Sequence, residues 1–470
     1  MQSKILVVVS VLVAGLAPLA LLPSDAEDST SRCLSILILS AIWWILEPFP
    51  SYVTSLAIVP LCVSLGVLDS VSASSAFFDP VMFLFITGFS LAAAMERYRL
   101  TQIISHPIMH MIMAGTRRGG EAVFYLGISG LCVMLCCLVS NVAASVLMTA
   151  LGQSVAQNLE LEKNSRKRLF LTIAFACNVG GMLVPIASPQ NIVAIAAAED
   201  TGIAFADWFV FSLPVCLCTL VVIFFVLRHQ YGESSSLVNR PTQLVEMGGT
   251  PPASPASGSE WSWQQIVVCL ILVSTVTGWC MFEYLKDIFG HMGIFGSVGV
   301  VVLHASGLLT SADWQGLPWP VLTLMGGGIV LGEAVRESGL LSVISDCITS
   351  LFPTGSSPWV VFLLFEVILC FVANFLSSTV CALISVPIIA KIGSVFGHSK
   401  LFVIGSTLMI SAAMCLPISS FPNANSAAVM EKSKPLLRVS DFTKTGFSIG
   451  IFFLIYMVTV GYWTGLALNH

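Results

Sequence analysis

Runs of apolar residues, separated by short polar gaps, follow one another along almost the whole of this 470-residue chain. A helix that crosses the hydrocarbon of a bilayer needs about 20 such residues. Eleven segments meet the requirement: 4–22, 33–49, 51–68, 78–95, 169–198, 207–228, 264–284, 290–310, 319–336, 399–428 and 444–466. Only 10% of the residues are charged and 56% are hydrophobic, whereas a soluble chain carries roughly 25% charge. So little charge cannot cover a water-facing surface, and lipid must do much of it. The composition predicts an all-α polytopic membrane protein. Basic clusters interleaved with aromatics are lacking, which excludes a nucleic-acid partner. Most of the 14 cysteines, such as Cys132, Cys136 and Cys137, sit inside apolar runs without metal-ligand spacing and read as packing residues.

Two further apolar regions, 121–157 and 357–396, are each interrupted by polar residues near the middle. Each is either two spans or a re-entrant helical hairpin. With the N-terminus cytosolic and both drawn as hairpins, Lys and Arg divide 15 against 5 in favour of the cytosolic side, the bias that membrane insertion imposes. Two full spans would leave the same flanks, but Ser140 and Asn141 at mid-depth favour the hairpin, because irregular backbone there must line protein or a cavity. Residues 1–30 read as a first transmembrane helix and exoplasmic loop, with a cleaved signal peptide as the alternative. Residues 229–262, rich in Ser, Pro and Gly, read as a disordered cytosolic linker. Thr250 and Ser254, each before a proline, are candidate kinase sites there, and a plain flexible linker is the simpler reading.

The linker separates two halves, 31–228 and 263–470, that match in order. GFSLAAAMERYRL (88–100) pairs with GIVLGEAVRESGL (328–340), SNVAAS (140–145) with SSTVCA (377–382), and PIASPQN (185–191) with PISSFPN (417–423). The offsets are 240, 237 and 232. In the drawing the first hairpin opens to the cytosol and the second to the opposite side. Inverted repeats with broken helices and a site between them are the mark of secondary transporters.

Segments 169–198 and 399–428 carry the breakers: Gly180, Gly181, Pro185 and Pro189 in the first, Pro417 and Pro422 in the second. Backbone groups freed by a proline need partners in lipid, either neighbouring hydroxyls or a ligand. Breaks at repeat-related positions, each followed by Ser and Asn, favour the ligand. The polar groups placed to converge are Ser140, Asn141, Ser188, Gln190 and Asn191 from the first half, and Ser377, Ser378, Thr379, Ser419, Ser420, Asn423 and Asn425 from the second. None is charged. Half-helix N-termini can hold an anion, and Asn, Ser and carbonyl oxygens a hard cation such as sodium. Glu366, inside an apolar span, is either a structural carboxylate or a proton carrier.

At these residues the chain resembles the divalent anion:sodium symporter (ion transporter) superfamily. AIWWILEPFPSYVTSLAIVPL (41–61) resembles its early helix, with Trp43, Trp44, Glu47 and Pro48 in place. Ser140-Asn141-Val142 and Ser377-Ser378-Thr379 resemble its two Ser-Asn-Thr motifs, with Val142 and Ser378 as departures. NVGGMLVPIASPQN (178–191) and LPISSFPN (416–423) resemble its unwound helices, in forms similar to the fungal low-affinity phosphate transporters. The resemblance implies eleven spans, two re-entrant hairpins, a homodimer and elevator-like movement of a transport domain. It implies sodium at Ser140, Asn141 and the Ala187 backbone, with a second sodium at Ser378 and the Ser419 backbone. It further implies an anion facing Ser188, Ser377, Thr379, Ser420 and Pro422; Ser140, Asn141, Asn191 and Asn423 are expected in the same anion cradle. Ser378 in place of an amide leaves proton coupling open. The SPX regulatory domain of the fungal proteins is not expected here.

The expected function is sodium- or proton-coupled transport of inorganic phosphate across a plasma or vacuole-like membrane. No cofactor is expected. Sulfate or dicarboxylate transport is the alternative, with bulky Phe421 against the longer dicarboxylate. A channel or receptor would leave the paired hairpins without a role. Gly127-Ile128-Ser129-Gly130 matches the short motif of intramembrane serine proteases, but the histidines lie mostly at segment ends and the repeat would go unexplained.

Overall fold

The computed structural model describes residues 2–21, 27–46, 48–197, 203–233, 261–350, 357–431 and 434–467. Glu47 and linker residues 234–260, with Thr250 and Ser254, lie outside the described residues. Each of the eleven expected segments holds helix. Among the described residues seven helices are long and apolar enough to cross a membrane, and five shorter apolar ones accompany them. The single sheet described is a two-residue ladder, Met430–Glu431 with Lys434–Pro435. This is an all-α polytopic membrane protein, with leucine, valine and phenylalanine side chains exposed along its helices where lipid would lie.

Both interrupted regions are helix–turn–helix units. Gly120–Leu138 turns at Val139 and Ser140 into Asn141–Asn158. Pro358–Val372 turns through residues 373–377 into Ser378–Val395. Ser140 and Ser377 stand at the second-arm N-termini and accept hydrogen bonds from Ala143 N (3.2 Å) and Val380 N (3.3 Å), as helix-capping serines do. A helical stretch absent from the eleven segments leads into each hairpin. Residues 100–119 continue into the first across a kink at Gly120 (φ 65°), and Leu340–Ser350 precedes the second.

Helix Trp319–Glu337 is the hub between the halves. Its three consecutive glycines each admit a different neighbour. A Cβ on Gly326 would meet Phe77 O at 2.8 Å, one on Gly327 would collide with Ser55 of helix Ser51–Ser64, and one on Gly328 with Leu383 of helix Ser378–Val395. The halves are also joined by ions. Arg97 pairs with Asp313, Arg166 with Glu431 and Lys167 with Asp441, while Lys400 pairs with Asp207 at the other side. In every case both partners lie at or beyond the ends of the apolar spans, on what the charge pattern draws as one side of the membrane.

Candidate functional site

The two breaks are built alike. Helix Lys163–Leu183 stops at an extended Val184 (φ −133°, ψ 152°), makes one 3-10 turn at Pro185–Ala187, passes an extended Ser188 and resumes as Pro189–Ala197. Helix Ser399–Ser411 ends before an extended Leu416 (φ −126°, ψ 149°), turns at Pro417–Ser419, passes Ser420 and resumes as Phe421–Ala427. Pro185 and Pro417 have no N–H for the preceding turn. Pro189 and Pro422 begin new helices, where a missing N–H costs nothing.

Gly180 and Gly181 do not break the helix as expected; they lie inside it and serve close packing. A Cβ on Gly180 would meet Val133 Cα and Cys136 Cβ at 2.8 Å. One on Gly181 would meet Asn141 Nδ2 at 2.8 Å and run into Ser188 Oγ. Gly181 therefore brings the first hairpin tip, the helix and the far lip of the break together.

The freed carbonyls find donors inside the protein, as a nonaqueous setting demands. Asn191 Nδ2 donates to Gly181 O (2.7 Å) and Val184 O (3.0 Å), Trp208 Nε1 to Met182 O (2.9 Å), and Ser212 Oγ to Leu183 O (2.9 Å). In the second break Asn423 Nδ2 donates to Met414 O and Leu416 O, both at 3.1 Å. Thr443 Oγ1 donates to Cys415 O (3.1 Å), and Asn374 Oδ1 accepts from Cys415 N (2.8 Å). This corrects one expectation: Asn191 and Asn423 spend their amide donors tying the breaks and have none left for an anion. The physical reason is the priority of bare carbonyls over any ligand.

The other expected residues fall into two unlike sets. In the first half, Ser140, Asn141, Ala187 and Ser188 are all buried. Asn141 Oδ1, Ser188 Oγ and Asn191 Oδ1 have no hydrogen-bond partner among the described residues. Side chains of all three touch Gly181, through Asn141 Nδ2, Ser188 Oγ and Asn191 Nδ2, and each bare oxygen costs about 1–3 kcal/mol unless something meets it. A hard cation bound by oxygen does so. In the second half, Ser378 Oγ donates to Ser419 O (2.9 Å), and Asn423 Oδ1 accepts from Asn178 Nδ2 (2.9 Å). The residue 232 positions after Gly181 is Ala413, so the second half has no glycine at the corresponding place. Ser378 and the Asn423 amide are thus satisfied within the protein. Ser377 is exposed, Thr379 and Ser420 are half-buried, and Pro422 is buried behind an exposed Phe421. Ser420 Oγ caps its short helix by accepting from Asn423 N (3.4 Å).

Cross-packing unites the sets. Helix Phe421–Ala427 lies against Asn141–Asn158, where Asn425 Nδ2 donates to Ser145 Oγ (2.8 Å), and Pro189–Ala197 lies against Ser378–Val395. Gln190 Nε2 donates to Ser411 Oγ (3.0 Å). Each hairpin is thereby seated on the break of the other half. Glu366 is apart from this cluster, enclosed between Pro358–Val372 and Ser399–Ser411. Sequence reasoning missed Asn178, Asn374, Trp208 and Ser212. The two asparagines carried a usable signal, since an amide inside an apolar run needs a buried partner.

Two broken helices cross-packed on two hairpins, in a chain of lipid-length helices, define a secondary transporter. Its family is settled by likeness: the chain belongs to the citrate transporter family, whose model matches residues 41–365 and 291–467. An uncharacterized transporter of Schizosaccharomyces pombe is 31% identical over 92% of this chain and 49% of its own length. An inorganic phosphate transporter of Saccharomyces cerevisiae is 25% identical over 92% of this chain and 46% of its own. The chain thus spans about half the length of these fungal relatives. A sodium-dependent dicarboxylate transporter of Staphylococcus saprophyticus is 25% identical over 94% of this chain and 87% of its own. The crystal structure of the Alcanivorax borkumensis YdaH transporter, described as having an unusual topology, matches with TM-score 0.50 and 14% identity over 88% of this chain and 97% of that one, a likeness of fold. The family and its relatives are transporters, not enzymes. Ser129 of the protease-like motif gives its hydroxyl to Tyr125 O of its own helix (2.8 Å).

Proposed function

We propose that this protein is a symporter of inorganic phosphate, driven by sodium bound at Asn141, Ser188 and Asn191. The observation that carries the reading is the trio of enclosed side chains packed about Gly181, each with an unpartnered oxygen. Sodium there gives the site a positive charge beside the N-termini of helices Asn141–Asn158, Pro189–Ala197 and Ser378–Val395. Those N-termini supply free N–H groups and partial positive charge to an anion. Ser377, Thr379 and Ser420 are the open hydroxyls on the anion's path. Without an Arg or Lys clamp, the anion is held firmly only while the cation is present, which is the physical basis of coupling. Phosphate is favoured over a dicarboxylate by the Ser-Pro-Gln-Asn and Ser-Ser-Phe-Pro-Asn forms and by the Saccharomyces relative. The two repeats, 31–228 and 263–470, move as an elevator: hairpins and broken helices slide against the helices around Trp319–Glu337, in a homodimer.

Dicarboxylate transport is the second reading, supported by the family description and the Staphylococcus relative. Labelled phosphate uptake into proteoliposomes of the purified chain, with and without a sodium gradient and with sulfate and succinate as competitors, separates the two. Sodium-driven phosphate uptake that resists both competitors is the expected result. Succinate uptake with no phosphate uptake would overturn the substrate. Phosphate uptake indifferent to sodium would overturn the cation site.

A further inference from the structure

Glu366 sits midway along helix Pro358–Val372 with 0% exposure, while its neighbours Val367 and Ile368 face outward. Ser406 Oγ donates to Glu366 Oε1 at 2.9 Å, and Oε2 has no partner among the described residues. An ionised carboxylate enclosed in this way needs a cation or several donors. The elements packed on this helix are Ser399–Ser411, Val439–Tyr456 and Met457–Gly461. Of their titratable groups, Lys400 is paired with Asp207, Asp441 is paired with Lys167, Lys444 is exposed and Tyr456 is half-buried. Met457–Gly461 contains none. One turn along its own helix, Cys370 points its thiol at Gly450 O (3.9 Å). The group beside Glu366 is therefore a hydroxyl, and the neutral acid fits the enclosure.

The position is connected to the second break. Glu366 and Cys370, four residues apart, share one helix face, and Asn374 follows four residues later in the turn just past the helix end. Asn374 Nδ2 donates to Cys370 O (2.6 Å), and its Oδ1 accepts from Cys415 N within the unwound segment. Ser406 lies on the helix that unwinds there. The first half has no counterpart. The residue 237 positions before Glu366 is Ser129, bonded to its own helix, and the residue 232 positions before Ser406 is Ala174. The half in which Asn141, Ser188 and Asn191 keep bare oxygens lacks the carboxyl, and the half in which Ser378 and Asn423 are satisfied has it.

We propose that Glu366 carries a coupling proton, so that the second repeat is driven by protonation of this carboxyl in place of a second cation. One proton binds Glu366 on the side where the anion enters, crosses as the neutral acid and leaves on the side of release. This rests on the transport reading above. The test uses the full chain in proteoliposomes containing a lumenal pH dye, with equal sodium on both sides and phosphate, sulfate or succinate added outside. Protons are counted per labelled anion taken up. The anion's own titration is common to all variants, so differences between variants report the chain. Glu366→Gln is expected to carry one proton fewer per anion than wild type, and Ser129→Ala the same number as wild type. A Glu366→Gln ratio equal to that of wild type overturns the proposal.

Should Glu366→Gln fail to insert, Ser406→Ala keeps the carboxyl and removes its donor. It is expected to shift the pH midpoint of uptake with little change in the anion's KM, and an unmoved midpoint overturns the proposal. If wild type moves sulfate or succinate instead of phosphate, only the substrate reading fails and the proton ratio is judged with that anion. If wild type moves none of the three, the transport reading fails and the proton role with it.

Discussion

At Gly181 a single hydrogen atom stands where a methyl would meet Asn141 Nδ2 at 2.8 Å and overlap Ser188 Oγ. Gly181→Ala therefore pushes apart two of the three oxygen-bearing groups proposed to hold sodium. The sodium concentration for half-maximal uptake is expected to rise tenfold or more, a loss of about 1.4 kcal/mol or above. An unchanged sodium dependence in a folded variant would remove Gly181 from the site. Asn141→Ala is expected to weaken sodium more than phosphate, and Ser188→Ala and Ser420→Ala to weaken uptake at normal expression; wild-type uptake in both serine variants would sink the proposed cradle. Asn191 makes a separate prediction. Its amide ties Gly181 O and Val184 O, so Asn191→Ala leaves two buried carbonyls bare and costs about 2 kcal/mol or more. The check is thermal unfolding in detergent, where a melting point within error of wild type would contradict the tie.

Among the elements, the prolines foretold the two breaks and the polar tips foretold the hairpins, because each is a local property: a missing N–H, or a polar pair inside an apolar run. Partnership was not legible. Nothing in the spacing of Asn191 says that its donors go to carbonyls seven and ten residues back, and nothing in Gly180 separates a breaker from a contact point, since both use the same absent side chain. The stretch 100–119 escaped because its His, Thr and Arg residues interrupt the apolar run that a span requires. Basic residues before Leu169 marked a membrane flank, and the structure gives one of them an internal role. Arg168 is 1% exposed, bonds Glu121 Oε2 at 3.0 Å and lies 3.9 Å from the centre of the Tyr125 ring. Arg168→Ala removes one member of a buried pair and joins helices Lys163–Leu183 and Gly120–Leu138 less firmly, at a cost of about 3 kcal/mol. Chemical denaturation that shows a loss under 1 kcal/mol would mean that Glu121 is held well enough by Arg228, whose Nε lies 3.5 Å from Glu121 Oε1.

On the scale of the whole molecule, the halves meet through ions at their ends and glycines at their centre, and the two kinds of joint behave differently. Partial burial pushes the Asp313 carboxyl up, but hydrogen bonds from Thr310 and Arg97 outweigh it and lower the value from 3.8 to about 2. A depressed carboxyl contributes stability above its unfolded value and loses it as pH falls through its folded one. Wild type is therefore expected to lose more stability than Asp313→Asn as the pH falls from 3.8 to about 2. Parallel curves for the two would contradict it. The central joint must slide if the elevator reading holds. A cavity of about 440 Å³ lies there, bounded by Gly328 and Gly332 on one side and by Val193, Leu383 and Pro387 on the other. A Cβ on Gly332 would stand 3.8 Å from Pro387 Cγ, in ordinary contact. Cysteines placed by Gly332→Cys and Pro387→Cys, in a background freed of the native thiols, are close enough to be bridged by oxidation or a short bifunctional reagent. The bridge would fix helix Ser378–Val395 to the hub. Phosphate uptake is expected to fall at least tenfold on crosslinking and to return on reduction, with each single variant indifferent to the treatment. Uptake that survives complete crosslinking would mean that this interface does not move, and that the anion reaches both sides by rearrangement of the hairpins alone.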